Sequence, residues 1–477
     1  MASRHRSLRA TFERTWQRLT DEEQTVFARL SVFRGGFTLE SAEAVAGANI
    51  RHLRKLAQKA LIQTEANQRC TIHELLRQFG EEKLAQADAL SETQAKHAAY
   101  FADFMAEREL DFNRQLELHA LEQIHYEFEN IRVAWLYLVN QREWKPLLSF
   151  FIGLFFYGDN CVRPRETLDL MEYAQDVLQT ESLSELSELT MGHVQLLLSW
   201  FYGYFRLNEQ SHGALENAVD ILRRHNSHKF LGYAYFSLAS RARDAGQPEA
   251  TIQYAQTGEE LLTLFDDHPL SVILRWIEAE ARIQQGNYEQ ALQELNDLLP
   301  IVGKNIMEII LYRTLGLAYT KLKQYEQAKQ WLHKAVATRR QYTIITHPYS
   351  ISDVYENLGE LALAEADFPL AHHYFKRALE FYYGLGYAWM YAFPIGYIAQ
   401  VYTFQDRLDE AVELLATIIP HLSTYQGREQ LAYDLRNQLE SQLEPAQFAV
   451  AWAKGEAREL NVLARELLAE LEADWAE

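Results

Sequence analysis

The chain is 477 residues long and 48% hydrophobic, with 21 Gly, 10 Pro and a formal net charge of −20. That length exceeds what one ordinary core supports, and so few Gly and Pro exclude a loop-rich or all-β build, which leaves several domains or an array of long helices. No stretch approaches the roughly 18 apolar residues of a membrane span, and the opening MASRHRSLRA has no apolar segment behind its arginines, so the chain reads as cytoplasmic, with no membrane partner. Cys70 and Cys161 are far apart and fit no metal-ligand spacing. Residues 1–88 carry 14 basic against 11 acidic side chains, a net of +3, which leaves −23 for the remainder. Such an acidic remainder repels nucleic acid and points to proteins or small molecules as partners.

In chain order, LRATFERTWQRL predicts a first helix, and Thr20-Asp21-Glu22-Glu23 reads as a capping box opening the helix QTVFARLSVF. A helix follows Thr38, and another lies near 51–61. Leu61–Thr64 and Cys70–His73 flank EANQR as a small β-hairpin before a helix over 74–86. Helices followed by a two-stranded wing predict a winged-helix domain over 1–88. Arg51, His52, Arg54, Lys55 and Lys59 offer a basic face for DNA, but Leu53, Leu56 and Ala60 give the same helix a buried face and +3 is a weak footprint. A packing module is the favoured reading and DNA is disfavoured. Residues 89–144 are a helical bridge, with Tyr126, Phe128, Ile131, Ala134 and Trp135 forming an apolar face.

Beyond it the sequence repeats. LGLAYTKLKQYEQAKQWLHKAV places Tyr319, Ala328, Leu332 and Ala335 after Leu315-Gly316, and LGELALAEADFPLAHHYFKRAL places Ala362, Ala371, Phe375 and Ala378 after Leu358-Gly359. These are the offsets of a tetratricopeptide repeat (TPR), in which small residues let two antiparallel helices approach closely. With the small residue that opens each second helix as a ruler, Thr167, Ser211, Thr251, Ala291, Ala328, Ala371 and Ala411 fall at intervals of 44, 40, 40, 37, 43 and 40. Leu238-Ala239, Glu278-Ala279 and Ile398-Ala399 are degenerate versions of Leu-Gly. The expected fold is all-α: a TPR-like α-solenoid, a right-handed superhelix of about seven helix pairs over 145–425, behind the winged helix and closed by capping helices over 426–477.

RHRSLRATFERTWQRLTDEEQTVFARLSVFRGGFTLESAEAVAG, LRKLAQKALI, CTIHELLRQFGEEKL and EFENIRVAWLYLV resemble the winged helix and TPR linker of STAND-class, NB-ARC-like bacterial signal-transduction ATPases and transcriptional regulators. The resemblance covers the first third of the chain. It implies a signalling role in which the winged helix couples TPR binding to a nucleotide-binding domain, and in Ile72-His73-Glu74 it matches His73 to the histidine that meets nucleotide phosphate. No G-x-x-x-x-G-K-[ST] loop occurs; Gly303-Lys304 has Leu298 in place of the first Gly and Asn305 after it. The expectation is therefore no cofactor within these residues and a nucleotide-binding domain upstream or on a separate polypeptide. The alternatives are a stand-alone TPR scaffold and a winged-helix DNA-binding regulator.

Carrying the motif offsets onto the first helix of each pair gives the candidate ligand-binding residues of the concave face. They are Trp200, Tyr204, Tyr233, Phe236, Arg243, Trp276, Glu280, Gln284, Arg313, Lys321, Asp353, Glu356 and Glu360. Aromatic rings among a few charges suit a sugar, a peptide or a protein loop, while the competing reading of such rings is inter-helix packing. No catalytic constellation is visible, so the protein reads as a non-enzyme. His347, His372, His373 and His421 read as solvent-facing rather than metal-binding, because no carboxylate–histidine spacing accompanies them.

Overall fold

The computed structural model describes residues 2–65, 68–113, 117–160, 163–182, 184–265, 268–302, 306–339, 348–385, 388–422 and 429–474. Cys161, Gly303, Lys304 and His347 lie outside them. The chain forms two compact units, Met1–His225 and Asn226–Glu477.

The first unit opens with α1 (Ala2–Trp16), α2 (Asp21–Leu30), α3 (Leu39–Ala46), α4 (Ile50–Gln58), β1 (Gln63–Thr64), β2 (Cys70–Thr71) and α5 (Glu74–Gln86). Side chains set these boundaries. Thr20 and Glu23 make the reciprocal capping box of α2, Thr38 and Ser41 that of α3, and Asn49 caps α4. The fourth helix ends at Gln58 rather than 61, because Ala60 turns left-handed (φ 53°) and Leu61-Ile62 lead into the hairpin. That hairpin pairs Gln63 with Thr71 and Thr64 with Cys70. Two long helices follow, α6 (Leu90–Asn113) and α7 (Glu117–Gln141), then the short α8 (Trp144–Leu147).

Helix pairs make up most of the rest: α9 (Phe150–Asn160) with α10 (Pro164–Gln179), and α11 (Glu185–Tyr204) with α12 (Asn208–Arg224). The second unit continues with α13 (His228–Asp244) and α14 (Pro248–Leu262), α15 (His268–Gln284) and α16 (Tyr288–Leu298), and α17 (Ile306–Lys321) and α18 (Tyr325–Arg339). Its last pairs are α19 (Pro348–Ala364) with α20 (Phe368–Leu385) and α21 (Ala388–Phe404) with α22 (Leu408–Ile418). These are TPR-like repeats. Each of the seven small residues used as a ruler is the fourth residue of its helix, and all seven are buried. Close approach explains the choice: a Cβ at Gly316 would stand 2.5 Å from Leu332, and one at Gly359 2.4 Å from Phe375.

One turn joins the helices of six pairs. Arg206, Gly246, Gly286, Lys323, Ala366 and Asp406 all take the left-handed conformation, and each lies two residues before its second helix. The next residue donates its backbone N–H to the carbonyl five residues back, as in Leu207 to Tyr202, Gln247 to Ala242 and Asp367 to Ala362. This is the Schellman closure, which satisfies carbonyls left open at a helix end. It needs a positive φ, and only two of the six positions are Gly.

The cap is α23 (Glu429–Gln442), α24 (Pro445–Glu456) and α25 (Leu460–Asp474). The amphipathic segment 448–471 is divided at 457–459, so that α24 packs on α22 and α25 on α20 and α21. Thr417 Oγ1 donates to the Gly455 carbonyl at 2.9 Å, and a Cβ at Gly455 would lie 2.3 Å from the Glu413 carbonyl oxygen. No helix among the described residues is long and apolar enough to cross a membrane.

Candidate functional site

In the second unit, five of the residues expected on the binding face meet in one network. Arg243 ends α13, Trp276 and Glu280 sit one turn apart on α15, Arg313 is on α17 and Asp353 on α19. The Glu280 carboxylate accepts from Arg313 and, at 3.3 Å, lies against Arg243. Arg243 also bonds Asp244 at 3.0 Å, and Arg313 stands 3.8 Å from Asp353. Charge alternates in sign from helix to helix, a ladder with one rung per repeat. Trp276 lies between its two cations, 5.3 Å from the Arg243 guanidinium and 5.9 Å from that of Arg313, within cation–π range. Its indole N–H donates to Thr314 Oγ1 at 2.9 Å, and the Tyr382 hydroxyl donates to Asp353 at 2.7 Å.

Burial alone would depress the Arg313 guanidinium, but the Glu280 and Asp353 carboxylates outweigh it and hold it above its ordinary value. Burial, with Glu360 and Asp353 nearby, pushes the Tyr397 phenol well up. The ladder is thus internally paired.

The remaining expected residues divide. Lys321 and Glu360 form a looser rung at 3.9 Å, and Gln284 is exposed beside the Arg243 carbonyl. Tyr233, Phe236 and Glu356 are buried rather than exposed, as are Arg243 and Arg313 themselves. The helical period puts a residue on a face, and neighbouring helices then cover it. Trp200 and Tyr204 belong to the first unit, where both donate to Asp159 Oδ1. Thr314 and Tyr382 were not anticipated, since nothing in a repeat motif marks a partner supplied by another helix, and neither was Asp244, the neighbour of Arg243 on its own helix.

A second polar centre, in the first unit, escaped the motif reading. Asn130 on α7 accepts the Arg34 backbone N–H at 2.7 Å and donates to the Gly36 carbonyl at 2.9 Å and to Glu127 at 2.7 Å. Glu127 pairs with Arg69 beside the hairpin; both side chains are buried. Gly36 is required here, with φ at 95° and a would-be Cβ 2.9 Å from the Cys70 carbonyl oxygen. His97 on α6 closes the cluster, 3.5 Å from Asn130 Oδ1 and packed on Phe33 and Phe101. Burial pushes its imidazole down to about 4. This clasp fixes the hairpin segment to the helices that precede the repeats. Glu127 and Asn130 stand three apart on one helical face within EFENIRVAW, the available signal.

His73 is exposed and caps α5, its Nδ1 accepting from the Leu75 N–H at 3.3 Å. On α4, His52 pairs with Glu22, and Lys55 and Lys59 with Glu23, so much of the basic face is already neutralised. His372 and His373 are half-buried rather than solvent-facing, and His373 is held below its usual value by burial and by Arg377 and Lys376. Among the described residues no three His, Cys, Asp or Glu side chains gather as a metal site.

A family profile described as Tetratricopeptide repeat matches residues 307–383, the span of α17 to α20. Comparison with curated protein sequences finds no match. Among solved structures, the chain is similar to a Signal Transduction ATPase with Numerous Domains (STAND) protein with a tetratricopeptide repeat sensor from Pyrococcus horikoshii. The identity is 16% and the TM-score 0.50, covering 97% of this chain and 66% of that one. A Rap protein solved with competence and sporulation factor aligns at 14% identity and TM-score 0.47, over 78% of this chain and 99% of that one. Yeast Tom70 aligns at 10% identity and TM-score 0.41, over 78% and 87%. The chain therefore spans just under two thirds of the STAND protein's length, and what that likeness, with the repeat profile, establishes is a TPR-like helical-repeat fold.

Proposed function

We propose that this chain is the sensor part of a STAND-type signalling regulator, acting by binding and not by catalysis. Its TPR face takes a protein or small-molecule ligand, and its first 88 residues act as a winged helix that passes the bound state to a nucleotide-binding domain, upstream or on a separate polypeptide. The observation that carries this reading is the clasp. Asn130, Glu127 and Arg69 tie the hairpin segment to α7 through buried, directional bonds, the kind of junction that lets one element move with another. His73 is exposed on that segment, where the sequence resemblance expects a nucleotide-facing histidine.

A photo-crosslinking residue in place of His73, in the full chain in its native cells, tests this. The expected product joins the chain to a polypeptide carrying a phosphate-binding loop, with a yield that changes between ATP and ADP. Crosslinks only to proteins without such a loop, or a yield indifferent to nucleotide, would favour a stand-alone TPR scaffold.

A further inference from the structure

A polar cavity of the second unit lies away from the ladder, at the last repeat. It measures about 390 Å³ and is bounded by the end of α21, the turn into α22 and the second half of α23. Three carboxamides converge on it: Gln400 from α21, and Gln438 and Gln442, one turn apart on α23. None of the three side chains makes a hydrogen bond among the described residues, so their donors and acceptors are available together. Asp406, in the left-handed position of the turn, adds a carboxylate.

Phe404 supplies the apolar element. One face of its ring stacks on Phe368, nearly parallel at 13° and 5.5 Å between centroids, yet the residue stays 56% exposed. A large ring left this open beside unpaired amides is a platform with its hydrogen-bonding rim in place. Among the described residues, no cation lines the cavity. Arg407, next to the lining residues Asp406 and Leu408, is held by Glu410 and lies 3.7 Å over the Tyr402 ring. Phosphates, carboxylates and acidic sugars therefore find no counter-charge among the described lining side chains, and burying them against Asp406 would be costly.

We infer that this cavity binds a neutral carbohydrate, one sugar ring laying its C–H face on Phe404 while its hydroxyls exchange hydrogen bonds with Gln400, Gln438, Gln442 and Asp406. Hydroxyls both donate and accept, as carboxamides do, and a carboxylate accepts from two neighbouring hydroxyls at once. The volume lies at the small end of ligand pockets and suits one or two rings. This inference goes beyond the proposed signalling role and stands independently of it.

Saturation-transfer NMR on the full chain tests it with cellobiose, sucrose and di-N-acetylchitobiose as neutral probes and glucose 6-phosphate as the charged comparator. At least one neutral disaccharide is expected to bind saturably, and the phosphate more weakly. Phe404→Ala and, separately, the double variant Gln438→Ala/Gln442→Ala should each weaken binding about tenfold or more, whereas Phe404→Trp keeps it. The glutamines are exposed, so their replacement leaves folding intact and keeps the result readable if Phe404→Ala perturbs α21. No saturable binding by any neutral probe, equal binding of the phosphate, or affinity unchanged in both weakening variants would overturn the assignment.

Discussion

At the clasp, one asparagine serves both the 34–36 segment and α6, and Arg69 and Glu127 meet from a hairpin and a helix with no sequence likeness. In the ladder, successive first helices of the repeat each supply a charge, and Glu280 sits between two arginines that each keep a second carboxylate. Both centres bury charge, and they differ in redundancy. A junction between unlike modules depends on bonds made once. A periodic array distributes the same chemistry over neighbours, so losing one member leaves the others partly paired.

The sharpest test of that difference is Glu127→Ala, which removes the carboxylate facing buried Arg69 and one partner of Asn130. The expected cost is about 3–5 kcal/mol, read as earlier urea unfolding and as faster hydrogen exchange confined to the hairpin and α7. A loss under 1 kcal/mol, by order of magnitude, would show that the clasp is as redundant as the ladder.

Acidification probes the same contrast through His97. Its folded imidazole is held near 4, against 6.5 for a free one, so between these values the unfolded chain binds a proton that the folded chain does not. Stability is complete above pH 6.5 and falls as pH drops toward 4, by about 3 kcal/mol in all. Exchange mass spectrometry across this range should show α6 and α7 loosening before α15 and α17, and His97→Gln should flatten the dependence.

Glu280→Ala is the counterpart within the ladder. With Asp244 still beside Arg243 and Asp353 beside Arg313, we expect a loss of about 1–3 kcal/mol, smaller than at Glu127 and visible as a modest shift of the urea midpoint. The smallest effect belongs to the repeated turn. Ala366→Gly relieves a left-handed alanine and should stabilise the second unit by about 0.5–1 kcal/mol, partly offset by glycine's freedom in the unfolded chain. The same change at Gln284, whose backbone is helical, should destabilise.

Much of the fold was legible because it is local or periodic. The capping box at Thr20, the helix after Thr38, the hairpin around EANQR, and the small residue that opens each second helix all follow from bonds or contacts within a few turns of chain. The ladder was half legible. Repeat offsets place Arg243, Trp276, Glu280, Arg313 and Asp353 on corresponding helix faces, but burial and pairing depend on which side chain the next helix offers. Tyr233 and Phe236 show the limit, since an aromatic on the right face is exposed or buried according to its neighbours.

What the sequence determined by itself is therefore the helix, its ends and its period, which rest on backbone hydrogen bonding and on the 3.6-residue spacing of apolar side chains. Only the tertiary structure decided the clasp and the cavity. Arg34, Arg69 and Asn130, or Gln400 and Gln438, lie tens of residues apart and share no motif. They meet because packed helices bring them there, and a buried polar group is stable only where such packing delivers its partner.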